Sequence, residues 1–126
     1  MSINHEVKDF HKLLGFSLSL LDSYLKNRIA DYTTHEKEMD DRNKHIVYME
    51  NMALLETELS HIEKTVKFIM KMDLSKYKSA VELKDSLLEQ IKKYYHDNGI
   101  PNVCTIIMTD KINKSYEFYN QLSVDS

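Results

Sequence analysis

Histidines and carboxylates are the residues of this sequence that could hold a metal ion. The chain contains six histidines and 20 acidic residues. Helical-bundle di-iron sites use two Glu-x-x-His pairs and two further glutamates as ligands. Only Glu58 and His61 have that spacing, and the remaining histidines do not repeat it. The sequence therefore predicts no metal ion and no other cofactor.

Covalent catalysis and phosphate binding also lack their usual signatures. The chain has no GxSxG turn to present a nucleophilic serine. Its two glycines, Gly15 and Gly99, are too far apart to form a phosphate-binding loop. Cys104 is the single cysteine, and its apolar neighbours indicate a small buried hydrophobe. We therefore expect that the protein is not an enzyme.

The segment HKLLGFS, from His11 to Ser17, resembles the His-x-Leu-Lys-Gly motif of histidine phosphotransfer domains, which are helical bundles. The resemblance implies that His11 accepts a phosphoryl group and that Gly15 leaves room for a receiver protein. Leu14 stands where that family has its charge-neutralising lysine. The alternative interpretation is a surface histidine beside a glycine that allows close helix packing.

Lysines and tyrosines alternate in two places, a pattern that can bind a phosphate backbone and stack on bases. The two places are Lys76 to Lys78 and Lys92 to Tyr95. The net charge of −3 opposes this function, because nucleic-acid-binding domains normally carry a basic surplus. Nucleic-acid binding is therefore the less favoured alternative.

The elements that position these residues are predicted to be helices. Two glycines and one proline in 126 residues leave little material for tight turns. A hydrophobic content of 42% is enough for a folded core. We expect one all-α domain over residues 1–126, a small bundle of three to four helices with a long central second helix.

The first helix is predicted over 4–30 and is expected to be largely buried. Its apolar positions have helical spacing and form a broad stripe; they are Val7, Phe10, Leu13, Leu14, Phe16, Leu20, Leu21, Tyr24 and Leu25. Thr33 and Glu36 have the spacing of a capping box. That spacing predicts that the second helix starts there.

The second helix carries a heptad seam, in which apolar residues alternate at spacings of four and three. The seam residues are Tyr48, Met52, Leu55, Leu59, Ile62, Val66 and Ile69. A short third helix cannot cover a seam on a helix that begins near Thr33. We therefore expect part of it to remain open to a second copy, giving an antiparallel homodimer through this helix.

Two further helices complete the predicted bundle. Ser79 and Glu82 form a second capping box, and Gly99 suits the end of the third helix. The run VCTIIMT, from Val103 to Thr109, is rich in β-branched residues. It is nevertheless predicted as helix, because the sequence offers no second strand with which it could pair.

The first turns of the second helix are acidic and lack a core-facing stripe, which favours contact with another protein. The candidate partner-binding residues are Glu36, Glu38, Asp41, His45, Tyr48, Met52, Leu55 and Leu59. The function expected from the sequence is a non-enzymatic interaction module, such as a small regulator, inhibitor or adaptor. The single cysteine and the lack of a long apolar run predict a cytoplasmic protein with no membrane segment.

Overall fold

A computed structural model describes the backbone of residues 4–36 and 42–125, and the side chains of residues 4–31 and 49–122. These residues form four helices and no strand. The helices are α1 (His5–Glu36), α2 (Arg42–Lys71), α3 (Ala80–Asp97) and α4 (Asn102–Asp125). The all-α prediction is confirmed, including a helix over the β-branched run 103–109. No helix in the described ranges has an apolar segment long enough to cross a membrane.

The boundary predicted between the first two helices is wrong. Thr33 and Glu36 both lie inside α1, which continues to Glu36, and α2 begins at Arg42. Threonine and glutamate three residues apart occur inside helices as well as at their starts, and neither glycine nor proline interrupts the chain here. As a result α2 has 30 residues and α1 has 32, so α2 is not the longest helix.

Both predicted ends of α3 are confirmed. The Ser79 side chain accepts a hydrogen bond from the backbone N–H of Glu82 at 3.1 Å. After the helix, Gly99 adopts a positive φ of 63°, and the N–H of Ile100 donates to the carbonyl of Tyr95 at 2.9 Å. This is the Schellman motif, in which a residue with left-handed φ turns the chain. Backbone N–H groups beyond the helix then donate to carbonyls of its last turn.

The N-termini of α1 and α3 lie together, and side chains at the start of α1 bond to backbone groups at the start of α3. Asn4 caps α1 by accepting from the N–H of Glu6 at 2.8 Å, and its amide donates to the carbonyl of Lys78 at 3.1 Å. The Glu6 carboxylate in turn accepts from the N–H of Ala80, at 3.0 Å, in the first turn of α3. The start of α1 therefore supplies acceptors both for its own Glu6 N–H and for the Ala80 N–H of α3, two donors that helix starts leave unpaired.

The helices form a four-sided bundle that is open on one side. In the described part of the chain α1 packs against α2 and α4, and α3 packs against α4. No Cα atom of α2, by contrast, comes within 8 Å of one in α3 there. Leu74 and Tyr77, in the connection between α2 and α3, bury their side chains in the core. The open side is therefore between α2 and α3.

The core contains one stripe from each helix. Its buried members include Phe10, Leu14, Leu18, Ile62, Ile69, Leu83, Leu87, Tyr95, Met108 and Ile112. The predicted seam of α2 is divided between two environments, since Leu55, Ile62 and Ile69 are buried while Met52, Leu59 and Val66 are half-buried. One chain therefore covers most of the seam by itself.

The broad burial predicted for α1 is wrong for three of its residues. Phe16, Leu20 and Tyr24 have 65%, 57% and 57% of their surface exposed. They follow each other at intervals of four and lie on a different face from the buried Leu14 and Leu21. Periodicity alone predicted one broad stripe, whereas α1 has two apolar faces and the bundle covers only one of them.

We predict that Ile62→Ala lowers the free energy of unfolding by about 2–5 kcal/mol, because it leaves a cavity in the packed core. The matched change Leu54→Ala, at a side chain that is 59% exposed on the same helix, should alter it by less than about 0.5 kcal/mol. Urea denaturation followed by circular dichroism measures both. Equal losses would contradict the burial pattern of α2.

Candidate interaction surfaces

The residues considered for metal binding are scattered among the described side chains. Within the described side chains, no group of three or more histidine, cysteine or acidic residues is placed to hold a metal ion. Cys104 is fully buried, as the sequence analysis expected. Burial raises the pKa of its thiol, so that the reactive thiolate is disfavoured at neutral pH.

His11 and Gly15 both contact the C-terminal part of α2. His11 donates a hydrogen bond from Nε2 to the carbonyl of Ile69 at 2.7 Å. That carbonyl lies in the last turn of α2, where intrahelical donors run out. A Cβ atom on Gly15 would lie 2.7 Å from the sulfur and terminal carbon of Met70. Met70 thus occupies the space that the phosphotransfer hypothesis reserves for a receiver protein.

The predicted partner-binding residues fall into two groups. Glu38 and Asp41 lie outside the described residues, as do the side chains of Glu36, His45 and Tyr48. The other three candidates, Met52, Leu55 and Leu59, are on the bundle side of α2. Leu55 is buried and its two neighbours in the seam are half-buried, so these three contribute mainly to packing.

The lysine–tyrosine pattern does not produce a stacking surface. Tyr77 and Tyr95 are both buried, and the Tyr77 hydroxyl lies 3.2 Å from that of Ser86. Tyr94 alone of the three rings near these lysines is substantially exposed. The buried rings are therefore not accessible to nucleic-acid bases.

The three exposed residues Phe16, Leu20 and Tyr24 form a continuous apolar surface, here called the α1 ridge. A shallow groove beside the ridge separates α1 from α4 and includes Ile107. The Arg28 guanidinium lies 6.0 Å from the centre of the Tyr24 ring, over its face. Sequence periodicity contained the signal for this ridge, because its residues have their own four-residue spacing.

The open side of the bundle forms a second surface, the α2–α3 groove, which is lined chiefly by Thr65, Phe68, Ile91, Tyr94 and Tyr95. Its volume is about 470 Å³. The flank of α2 that faces α3 presents Lys64 and Thr65 besides Phe68. Polar side chains at these positions cannot form a dry contact with α3, which explains why the two helices stand apart.

A hydrogen-bond chain crosses the floor of this groove. The Thr65 hydroxyl donates to the carbonyl of His61 at 2.9 Å, and it also meets the hydroxyl of Tyr95. Because a threonine hydroxyl has one hydrogen, Tyr95 must be the donor in the second bond. Burial raises the pKa of Tyr95, which keeps that donor protonated.

Comparison with known proteins gives no match. No protein-family profile, curated protein or solved structure is similar to this chain. Arguments about function therefore depend on its own surfaces.

The direction of the floor hydrogen bonds gives a test. We predict that Thr65→Val costs about 1–3 kcal/mol of unfolding free energy, because it leaves the buried Tyr95 hydroxyl without an acceptor. Tyr95→Phe should cost less, since Thr65 keeps its bond to His61. Chemical denaturation of both variants makes the comparison. If Tyr95→Phe lost more unfolding free energy than Thr65→Val, the assignment of Tyr95 as the donor would be wrong.

The packing role of His11 predicts a stability effect. His11→Ala should lower the free energy of unfolding by about 1 kcal/mol relative to His5→Ala, because only His11 donates to the end of α2. His5 is an exposed histidine on the same helix and controls for helix propensity. Thermal and urea unfolding provide the measurement. Equal unfolding free energies for His11→Ala and His5→Ala would contradict this role of His11.

Proposed function

We propose that this protein is a non-enzymatic interaction module, a regulator, inhibitor or adaptor that binds another protein through the α1 ridge. The observation that supports the proposal most is the exposure of Phe16, Leu20 and Tyr24 together. Single exposed apolar residues are common, but a contiguous group with two aromatic rings is typical of a protein-binding surface. Among the described helices none covers it.

The partner proposed for the ridge is an amphipathic helix of a different protein. A straight row of side chains at intervals of four matches the ridges along which helices pack. A second copy fits less well. In an antiparallel pair centred on Leu20, Lys12 would face Arg28 and Asp9 would face Asp31, so like charges would meet on both sides.

The homodimer expected from the sequence required a partly open seam on α2. Leu55, Ile62 and Ile69 of that seam are buried within one chain, so a dimer that used these three residues would have to open the core. This cost favours a heterologous partner. It also leaves the ridge of α1, rather than the seam of α2, as the surface for association.

The acidic segment remains part of the proposal. With 32 residues α1 is about 48 Å long, whereas the 18 residues of α3 span about 27 Å. The far ends of α1 and α2 therefore extend beyond α3. In the sequence, Glu36, Glu38 and Asp41 stand at the end of α1 and before Arg42, the first residue of α2, and their negative charges would attract a partner with basic residues. A cytoplasmic location is part of the same proposal and suits the unpaired Cys104.

Binding through the ridge predicts a specific loss on mutation. Leu20→Ser should reduce the capture of a specific partner from host-cell extract by about tenfold, because a buried apolar anchor contributes 1–2 kcal/mol or more. The matched control is Ile106→Ser, at a side chain of α4 that is 58% exposed and outside the ridge. Quantitative mass spectrometry of both pull-downs compares the variants.

The control should retain the partner at the wild-type level, and both variants should keep the wild-type melting temperature. Equal capture by Leu20→Ser and wild type would rule out the ridge as the binding surface. Loss of capture in the control variant as well would show that binding follows general surface hydrophobicity.

A further inference from the structure

The α2–α3 groove has the dimensions of a small-molecule site. Its volume of about 470 Å³ lies within the range of roughly 300–1,000 Å³ that is usual for such sites. It is also short, since its lining residues fall within 64–68 on α2 and 90–98 on α3. Eight steps along a helix cover only about 12 Å. A compact ligand fills this space better than a docked helix, which needs a longer groove.

The floor of the groove favours an apolar group. Ile91 and the Tyr95 ring contribute to it, and Phe68 and Tyr94 form walls that are about half exposed. The hydroxyl groups on the floor use their hydrogens within the chain, since Tyr95 donates to Thr65 and Thr65 donates to His61. An anionic group therefore finds no hydroxyl donor at the floor, and the apolar lining favours an aliphatic or aromatic part of a ligand there.

The rim of the groove favours a negative charge. Lys64 on α2 and Lys93 on α3 both border it, against one acidic residue, Asp97. The ion pairs formed among the described side chains include neither lysine. Their ammonium groups can thus turn to an incoming anion without first breaking an internal pair.

We infer that the α2–α3 groove binds a small amphipathic anion. Its apolar or aromatic body lies against Phe68, Ile91 and Tyr94, and its acidic group lies between Lys64 and Lys93. Both parts of the groove are needed, because the floor excludes the charge and the rim attracts it. The site is on the opposite side of the bundle from the α1 ridge, and it does not depend on the proposed protein partner.

Two fluorescent probes of the same shape test this inference. Anilinonaphthalenesulfonate has an aromatic body with a sulfonate, and N-phenylnaphthylamine has the same body without a charge. We expect anilinonaphthalenesulfonate to bind at one saturable site per chain. Its dissociation constant should increase with salt concentration, because the lysines are exposed. The protein contains no tryptophan, so the probe emission is measured without interference from that residue.

Charge-neutralising variants locate the site. The double variant Lys64→Gln/Lys93→Gln should weaken sulfonate binding at least about fivefold and change binding of the uncharged probe less than about twofold. The control is Lys76→Gln/Lys78→Gln, which removes the same charge from exposed positions in the α2–α3 connection. This control should leave the dissociation constants of both probes unchanged. Amide NMR shifts on titration should concentrate at 64–68 and 90–98.

Several results would overturn the inference. One is equal binding of the sulfonate by wild type and Lys64→Gln/Lys93→Gln. Another is an equal loss in the control double variant, which would indicate only a general effect of net charge. Shifts centred on Phe16 to Tyr24 would assign the probe to the α1 ridge instead. Non-saturable binding would show that the groove is not a defined site. The variants change surface lysines, and unchanged thermal unfolding verifies that the fold is intact.

Discussion

The division of the apolar residues of α2 determines how the whole bundle is arranged. Leu55, Ile62 and Ile69 direct this helix into the core, and Met70 lies over Gly15 of α1. Burial of such side chains contributes roughly 1.5–3 kcal/mol each, more than any polar contact on the surface of α2. The free energy of this burial holds α2 against α1. The flank that remains for α3 is mostly polar, and the bundle is open there.

Contacts at two levels hold α3 in place without close packing against α2. Glu6 accepts from the first N–H of α3 at one end, and Tyr95 reaches across the gap to Thr65 at the other. Between them α3 packs against α4. The open side is thus a consequence of composition, because a helix flank with Lys64 and Thr65 in place of leucines gains no free energy when water is removed from it. The same gap provides the space proposed for a ligand.

Local signals in the sequence predicted much of the fold, whereas the surfaces required tertiary information. The helix ends at Ser79 and Gly99 follow from capping chemistry, which acts over a few residues. The break predicted at Thr33 failed because capping-box spacing also occurs inside helices. Periodicity showed that Leu20 is apolar but could not show which face of α1 the bundle covers. The motif at His11 likewise carried no information about Met70 and Ile69, which are more than 50 residues away in the chain.

The chain completes its own core and leaves two separate surfaces, a convex apolar ridge on α1 and a concave groove between α2 and α3. Most of the α2 seam is covered within one chain, without help from a second copy. The molecular mass in solution tests this most directly, by size exclusion coupled to light scattering at tens of micromolar protein. We predict a monomer of 14.9 kDa. A stable species of about twice that mass that persists in the ridge variant Leu20→Ser would be the contradictory result, because the seam of α2 would then be the interface of the antiparallel dimer expected from periodicity alone.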